Sequence, residues 1–312
     1  KGPRNGRDLL ALSTDQIVPK WRTLSEAANV MIDDFIDDPE ALEAAKEYSE
    51  LVLTPEMQVG PIWRRSYEKP LGYPGDYRVM QYVYSWSDEG NSLYGKLVHR
   101  LGLDSLDCVA SRMSMVQQLI GQEAINAPGA GQLGITNLAC GGAQEVLNYL
   151  AQEHLLRPLR FTLIDQDEGA LSYAYERSFP HAIRHNGKAK LNCLHCSFTE
   201  LMKGGALSNG LPPQHMIYSV GLFDYLKARR AESLLTTLYE RVAPGGLLVI
   251  GNLKIGPKAG RWAAEMLCDW QMFYRTEDEM FAMAKHVPRE QMTILTDRTD
   301  RIYLLCIRKP EA

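Results

Sequence analysis

Long apolar runs are missing from this sequence, and no stretch approaches the roughly eighteen residues that a membrane span needs. Positive charge is not in excess either. Thirty-four Lys and Arg stand against 38 Asp and Glu, a formal charge of −4, which argues against a nucleic-acid binder with its basic patch or stripe. A disulfide framework is also absent. Six cysteines among 312 residues (Cys108, Cys140, Cys193, Cys196, Cys268 and Cys306) are scattered through apolar surroundings, a usage that suits a reducing compartment. Lys1 to Arg7 is charged and Gly-rich with no apolar stretch attached, so no secretory leader is expected and a cytoplasmic location is. No internal repeat or low-complexity segment is found. Cys193 and Cys196 have C-x-x-C spacing around His195, but lack a second ligand pair, and they read as small core residues of a strand. His181 and His185 stand four apart in a loop-like stretch at Pro180 without carboxylate partners, so no metal site is expected. None of the seven histidines falls in the motifs below, which leaves no histidine-based dyad.

What is present is an ordinary globular composition, 45% apolar and 23% charged, with enough apolar side chain for a real core. The first part, residues 1–125, reads as helical. Residues 25–36 carry apolar side chains at helical spacing, 39–53 are rich in Ala and Glu, and helical patterns return over 91–101 and 105–123. Between them, 54–77 reads as loop, punctuated by Pro55, Pro61, Pro70 and Pro74 with Gly60, Gly72 and Gly75. After the Gly-rich 126–131 the character changes, and 126–312 reads as a second, α/β region. Short strand-like runs at 134–138, 160–164, 190–195, 214–219 and 247–252 alternate with helical ones, the pattern of a parallel sheet with helices on both faces. The chain closes with two strands, 291–295 and 301–308, around a polar turn. An antiparallel hairpin ending a parallel sheet predicts the Rossmann-like sheet of class I methyltransferases and not the all-parallel sheet of dehydrogenases.

In such sheets ligands sit outside the carboxyl ends of strands, where the first strand turns into its helix. Here that turn is Asn137-Leu-Ala-Cys-Gly-Gly-Ala143, whose small residues Ala139, Gly141 and Gly142 let the backbone approach a ligand. Asp165 ends the second strand, 24 residues beyond Gly141, placed to accept ribose hydroxyls. A dinucleotide site wants G-x-G-x-x-G with pyrophosphate on the helix N-terminus. This turn lacks the third glycine and carries Glu145 in the first helical turn, which would repel pyrophosphate, so S-adenosylmethionine is the expected ligand. Phe198 follows the third strand, either covering an adenine face or as a core aromatic. Ser219-Val220-Gly221 follows the fourth, with backbone groups to line the reactive end.

Taken together, Lys69-Pro-Leu-Gly-Tyr-Pro-Gly-Asp-Tyr77, residues 137–145, Asp165-Gln166-Asp167, Gly221-Leu-Phe-Asp-Tyr-Leu226 and Trp270-Gln-Met-Phe-Tyr-Arg275 resemble one bacterial methyltransferase family. It is the family of extracellular-factor 3-hydroxypalmitic acid methyl ester biosynthesis proteins, and the resemblance spans roughly residues 60–308. It implies a class I methyltransferase fold with a helical N-terminal region, using S-adenosylmethionine. Carried over by position, Gly141, Asp165 and the Ser219–Gly221 backbone would bind the cofactor. Tyr73, Ala139, Cys140, Gln166, Ser197 and Phe198 complete the expected cofactor set. Arg112 matches a family arginine and would pair with the cofactor carboxylate, or is simply a surface helix arginine. Family members often have Gly where Ala139 stands, a departure that would tighten the pocket.

Methyl transfer from a sulfonium is an in-line displacement in which the protein mainly binds, aligns and desolvates. A carboxylate acceptor is already ionised at neutral pH, whereas a hydroxyl or ammonium needs a base. The residues expected at the reacting centre are Asp76 and Tyr77, in the Pro/Gly loop read as a lid, and Asp224 and Tyr225 after the fourth strand. Asp76 and Asp224 also read as a turn residue and a helix cap. Trp63, Arg64, Phe223, Trp270, Tyr274 and Arg275 are the expected acceptor contacts, with Trp270 and Tyr274 sharing one helical face. The function expected is methyl transfer to a small metabolite or fatty-acid-like molecule at a carboxylate oxygen, with no nucleic acid, metal or membrane span involved. The alternatives are an N- or hydroxyl O-methyltransferase of a natural-product pathway, an NAD(P)-dependent oxidoreductase, or a non-catalytic nucleoside-binding module. No motif sets an oligomeric state.

Overall fold

The computed structural model describes residues 6–127, 131–152, 154–203 and 211–311, so part of the 126–131 junction lies outside the described residues. The chain forms two compact units: one holds the residues up to Ala110 with Ile255–Met272 and Thr299–Arg301, the other Ser111–Lys254, Phe273–Arg298 and the residues from Ile302 onward.

In the first unit, α1 (Gly6–Asp34) runs for 29 residues and passes through Pro19. It therefore starts well before residue 25, where periodicity places it, because an internal proline reads as a stop although a long packed helix absorbs the missing amide. Asp38 caps α2 (Pro39–Tyr48), its side chain accepting from the Ala41 amide. A π-helical turn, Ser49–Leu53, leads into α3 (Thr54–Met57), and Gly60 precedes α4 (Pro61–Glu68). The stretch expected as loop is thus mostly helical. Pro55 and Pro61 stand in first turns, where a helix has no use for an amide hydrogen. Asp76 caps α5 (Tyr77–Ser85) and Ser92 caps α6 (Leu93–Ser105), whereas α7 (Asp107–Asn126) belongs to the second unit from Ser111 onward.

Three indoles anchor this unit. Trp21 meets Trp63 edge-on at 5.7 Å and Trp262 at 5.5 Å, while Trp63 Nε1 donates to the Val98 carbonyl at 2.8 Å. Gly102 makes room for this packing, since a Cβ there would lie 2.3 Å from Ile62. His99 is fully buried, and its Nδ1 accepts from the Ile62 amide at 3.2 Å, which requires the neutral ring. Burial pushes the imidazole down to about 4. Between an ordinary histidine value near 6.5 and about 4 the unfolded chain takes up a proton that the folded chain refuses. This contribution is therefore complete above about pH 6.5 and is lost as pH falls toward 4, at most ~3 kcal/mol. Urea unfolding across that range is expected to show the loss, and His99→Gln to flatten it.

The second unit is a seven-stranded sheet: β1 (Leu133–Leu138), β2 (Leu159–Asp165), β3 (Ala189–His195), β4 (Gln214–Ser219), β5 (Val242–Leu253), β6 (Met292–Thr296) and β7 (Ile302–Arg308), in the order β3-β2-β1-β4-β5-β7-β6. Strands β1 to β5 pair in parallel, and β7 runs antiparallel to both β5 and β6. The parallel sheet with a closing hairpin is as expected. Helices α8 (Gln144–Leu150), α9 (Glu168–Ile183), α10 (Phe198–Met202) and α11 (Ala228–Glu240) belong to it. Ile217, Phe223, Leu234, Leu248 and Leu305, all fully buried, lie in one apolar cluster of the unit.

Two local expectations fail. Helix α9 continues through Pro180 to Ile183, so His181 is helical, and His185 instead bonds the Leu150 carbonyl at 2.8 Å. The helix Arg261–Cys268 ends on Asp269, whose φ of 47° is left-handed, so Trp270 and Tyr274 share no helical face. Beyond it the chain meets the end of β5, the Arg275 amide donating to the Leu253 carbonyl at 2.9 Å.

Candidate functional site

The strand order reverses at β1, which has β2 on one side and β4 on the other. A crevice opens at such a switch point, outside the carboxyl ends of the strands. The turn leaving β1 is built on left-handed residues, Ala139 at φ 55°, Gly141 at 50° and Ala143 at 45°. It is pinned from β2: the Cys140 amide donates to the Ile164 carbonyl at 3.1 Å, and the Gly141 amide to Asp165 Oδ2 at 2.8 Å. Asp165 Oδ1 accepts from the Asp167 amide at 2.9 Å. Burial pushes the Asp165 carboxyl up, against the amide hydrogen bonds from Asp167 and Gly141. A Cβ on Gly141 would have no heavy atom within 4 Å, so the turn presents its backbone to open space. Gly142 has a different duty, because a Cβ there would lie 3.2 Å from the Tyr173 ring.

Ala139 holds a backbone shape that glycine takes without penalty. Ala139→Gly is expected to raise stability by ~0.5–1 kcal/mol, the released strain exceeding the added entropy of the unfolded chain. The thermal midpoint would rise slightly, and a fall would show that the methyl contributes packing that outweighs the strain.

At the end of β4, Ser219 is buried and Val220 and Gly221 are half-buried. Glycine at 251 lets β5 pass close to Val220, since a Cβ there would come within 2.8 Å of it. Arg112, buried on α7, places Nη2 3.6 Å from where a Gly221 Cβ would stand. Its Nη1 lies 3.9 Å from Asp224 Oδ2. Asp224 is buried in the 3-10 turn Phe223–Tyr225 and accepts the Leu253 amide on Oδ1 at 2.7 Å. Burial pushes its carboxyl up to about 6, with Arg112 pulling the other way. Glu145 completes the group: Asn137 Nδ2 and the Tyr218 hydroxyl both donate to its Oε1 at 2.8 Å. Burial raises this carboxyl too, again against Arg112. One guanidinium thus faces two buried carboxyls.

Sequence reasoning missed Asn137 and Tyr218 as partners of Glu145. The available signal was a phenol in a strand expected to be buried, which needs a buried acceptor. Gln166 is exposed, its carbonyl accepting from His195 Nε2 at 2.9 Å. Ser197 is committed to a capping box with Glu200, and Phe198 packs partly buried on the apolar cluster. Tyr225 is exposed and Tyr274 half-buried.

Arg275 is a clamp on backbone carbonyls, and the anion that acts most strongly on it is the chain's own Asp224. The arginine is buried, and its guanidinium donates to the carbonyls of Phe223 and Leu226 and to Asn252 Oδ1. Phe223 is a fully buried core side chain. Both therefore support the 3-10 turn from within. Trp63, Arg64, Tyr73, Asp76, Tyr77 and Trp270 belong to the first unit. There Trp63 is core, and Arg64 is exposed with Nε on the Gln58 carbonyl at 2.9 Å. Tyr73 is half-buried and Tyr77 buried. Trp270 packs on Gly75, where a Cβ would lie 2.2 Å from the indole. Asp76 Oδ1 accepts from the Arg78 and Val79 amides and from Arg65 Nε. Among the described residues no cluster of His, Cys, Asp and Glu could hold a metal ion, and no helix is long and apolar enough to cross a membrane.

The sheet order, the reversal at β1 and the antiparallel β7 define a Rossmann-like fold of the class I methyltransferase type. No protein-family model and no curated protein matches the sequence. Among solved structures, the chain is similar to a possible exported protein from Bordetella parapertussis, at 18% identity over 75% of this chain and 79% of that one, with a TM-score of 0.57. It is also similar to magnesium protoporphyrin IX methyltransferase from Synechocystis PCC 6803 with bound S-adenosylhomocysteine, at 11% identity over 78% and 97% of the two chains, with a TM-score of 0.51. At these identities the likeness is one of fold.

Proposed function

We propose that this chain is an S-adenosylmethionine-dependent methyltransferase acting on a small metabolite or fatty-acid-like molecule, at a carboxylate oxygen. The observation that carries the reading is the lip of the crevice, where an open left-handed Gly141, a pinned Asp165 and a buried Arg112 beside Gly221 lie at the switch point. These residues fit the cofactor. Gly141 leaves open the space a side chain would fill, Asp165 is a carboxylate for ribose hydroxyls, and Arg112 offers a guanidinium fork to a carboxylate. Bound S-adenosylmethionine would supply a methyl group on a sulfonium. The protein's own part is to hold the nucleoside by Asp165 and the turn backbone, anchor the amino-acid end by Arg112, and keep water out. The solved neighbour with bound S-adenosylhomocysteine supports this choice by fold.

The sequence resemblance supports the carboxylate acceptor, and the engagement of Asp224 agrees with it. Asp224 is buried and bound to the Leu253 amide, and an already ionised acceptor needs no proton removed. Calorimetry with S-adenosylmethionine and S-adenosylhomocysteine is expected to show binding that Asp165→Ala abolishes or strongly weakens. No binding of either at sub-millimolar concentration would sink the reading. Incubation with methyl-labelled cofactor and a cell extract, followed by mass spectrometry, is expected to place the label on a base-labile methyl ester. A label stable to base would move the acceptor to nitrogen or a hydroxyl.

A further inference from the structure

One face of α1 is covered and the flank beside it is not. Trp21, Asn29 and Ile32 point into the first unit. Ile17, Leu24 and Met31 lie 36%, 55% and 58% exposed, spaced seven residues apart on one stripe, with Ala27 between the last two. Seven-residue spacing of apolar side chains is the signature of a helix seam, and a small residue beside them lets two helices approach closely. The helix is also long enough for a seam, since 29 residues extend roughly 44 Å at ~1.5 Å each.

The charges on the same stripe state what would cover it. Lys20 lies at its start and Asp34 at its end, with Asp37 and Asp38 just beyond. Neither Lys20 nor Asp34 makes an ion pair within the chain among the described residues, whereas Arg22 is held by Asp104 and Asp33 by Arg261. A helix carrying plus at one end and minus at the other complements itself when reversed. A parallel pair would set Lys20 on Lys20 and Asp34 on Asp34.

We propose that the exposed stripe of α1 is a self-association surface, on which α1 of a second copy of this chain packs antiparallel. About a two-fold axis near Leu24 and Ala27, each Leu24 sits on the Ala27 of the other copy, each Met31 covers the stem of the other Lys20, and each Lys20 ammonium reaches the other Asp34. Such an isologous contact closes on itself and stops at two chains. It involves none of the residues assigned to the crevice, so its outcome is separate from that of the methyltransferase reading.

The test is sedimentation velocity of the full chain over a wide concentration range. A monomer–dimer equilibrium is expected. Leu24→Glu should shift it to monomer, with its unfolding midpoint kept because the residue is exposed. Lys20→Glu should raise the dimer Kd about tenfold or more by setting like charges together, and the double variant Lys20→Glu/Asp34→Lys should restore it. A wild-type chain that is monomeric throughout would overturn the proposal. So would a dimer indifferent to Leu24→Glu, or a charge reversal that the double variant does not rescue.

Discussion

Asp76→Ala is expected to lower stability by ~3 kcal/mol or more, the range found when one partner of a buried ion pair is removed. The carboxylate is 1% exposed and joins two helices, α4 and α5. Its Oδ1 accepts from the Arg78 and Val79 amides at 2.9 and 3.0 Å, capping α5. Arg65 lies against both oxygens, with Nε 2.9 Å from Oδ1 and Nη2 2.7 Å from Oδ2. Alanine would lose the cap, worth ~1 kcal/mol, and would leave Arg65 without its anion. Asp76→Asn separates the two effects, since it can still cap but cannot pair. Its midpoint in urea is therefore expected between those of alanine and wild type. The same geometry changes the role first expected of Asp76: Oδ1 takes three donors from within the unit and Oδ2 lies against the Arg65 guanidinium, so it acts by holding the turn, not as a base. If purified Asp76→Ala unfolds at the wild-type urea concentration while turnover collapses, this assignment is wrong.

The Asp76 case shows what a sequence can and cannot carry. The alternation of short apolar runs with helical ones made β1 to β5 and the closing hairpin legible, because a strand buried on both faces reads as a short local run. The turn at Gly141 and its distant partner Asp165 were legible too, since a backbone that must approach a ligand restricts the residues allowed. Prolines misled in both directions. Pro19 and Pro180 lie inside α1 and α9, where packing overrides the lost amide, and Pro55 and Pro61 begin helices in a stretch that reads as loop. Roles that depend on which partner a polar group finds were least legible. Arg275 looked like an anion contact and is a clamp on backbone carbonyls, and Glu145, expected in the first helical turn as a charge beside the ligand, is buried there and bound to Asn137 and Tyr218. Composition says which groups need partners, and only the packed chain says which they meet.

Arg112→Ala is the second substitution expected to act strongly, and pH decides how strongly. The Asp224 carboxyl is raised to about 6 by burial although Arg112 opposes the shift. With a folded value above the ordinary carboxylate value, this group favours the folded state most below about pH 4 and loses that advantage as pH rises through 6. Near pH 5 Asp224 is largely neutral, so removing the guanidinium leaves no bare charge there. Near pH 8 the wild type holds an ionised Asp224 beside Arg112, and the variant holds it with only Arg275 and the Leu253 amide in support. Glu145, raised by burial and steadied by the same arginine, acts in the same direction. The stability gap between wild type and Arg112→Ala is therefore expected to widen from about pH 5 to about pH 8, to at most ~3 kcal/mol, the loss found when a buried pair loses one partner, because Arg275 still acts on Asp224. Denaturant titrations at the two pH values measure it, and the His99 contribution cancels because both proteins carry it. Arg112→Lys restores the charge without the fork, so it should recover most of the stability. Under the proposed function it should not recover cofactor affinity, which truncation to alanine lowers by about 30-fold or more. A gap that is the same at both pH values would mean that Arg112 supports the site by packing alone. Affinity restored in full by lysine would mean that charge, and not a two-pronged grip, holds the amino-acid end.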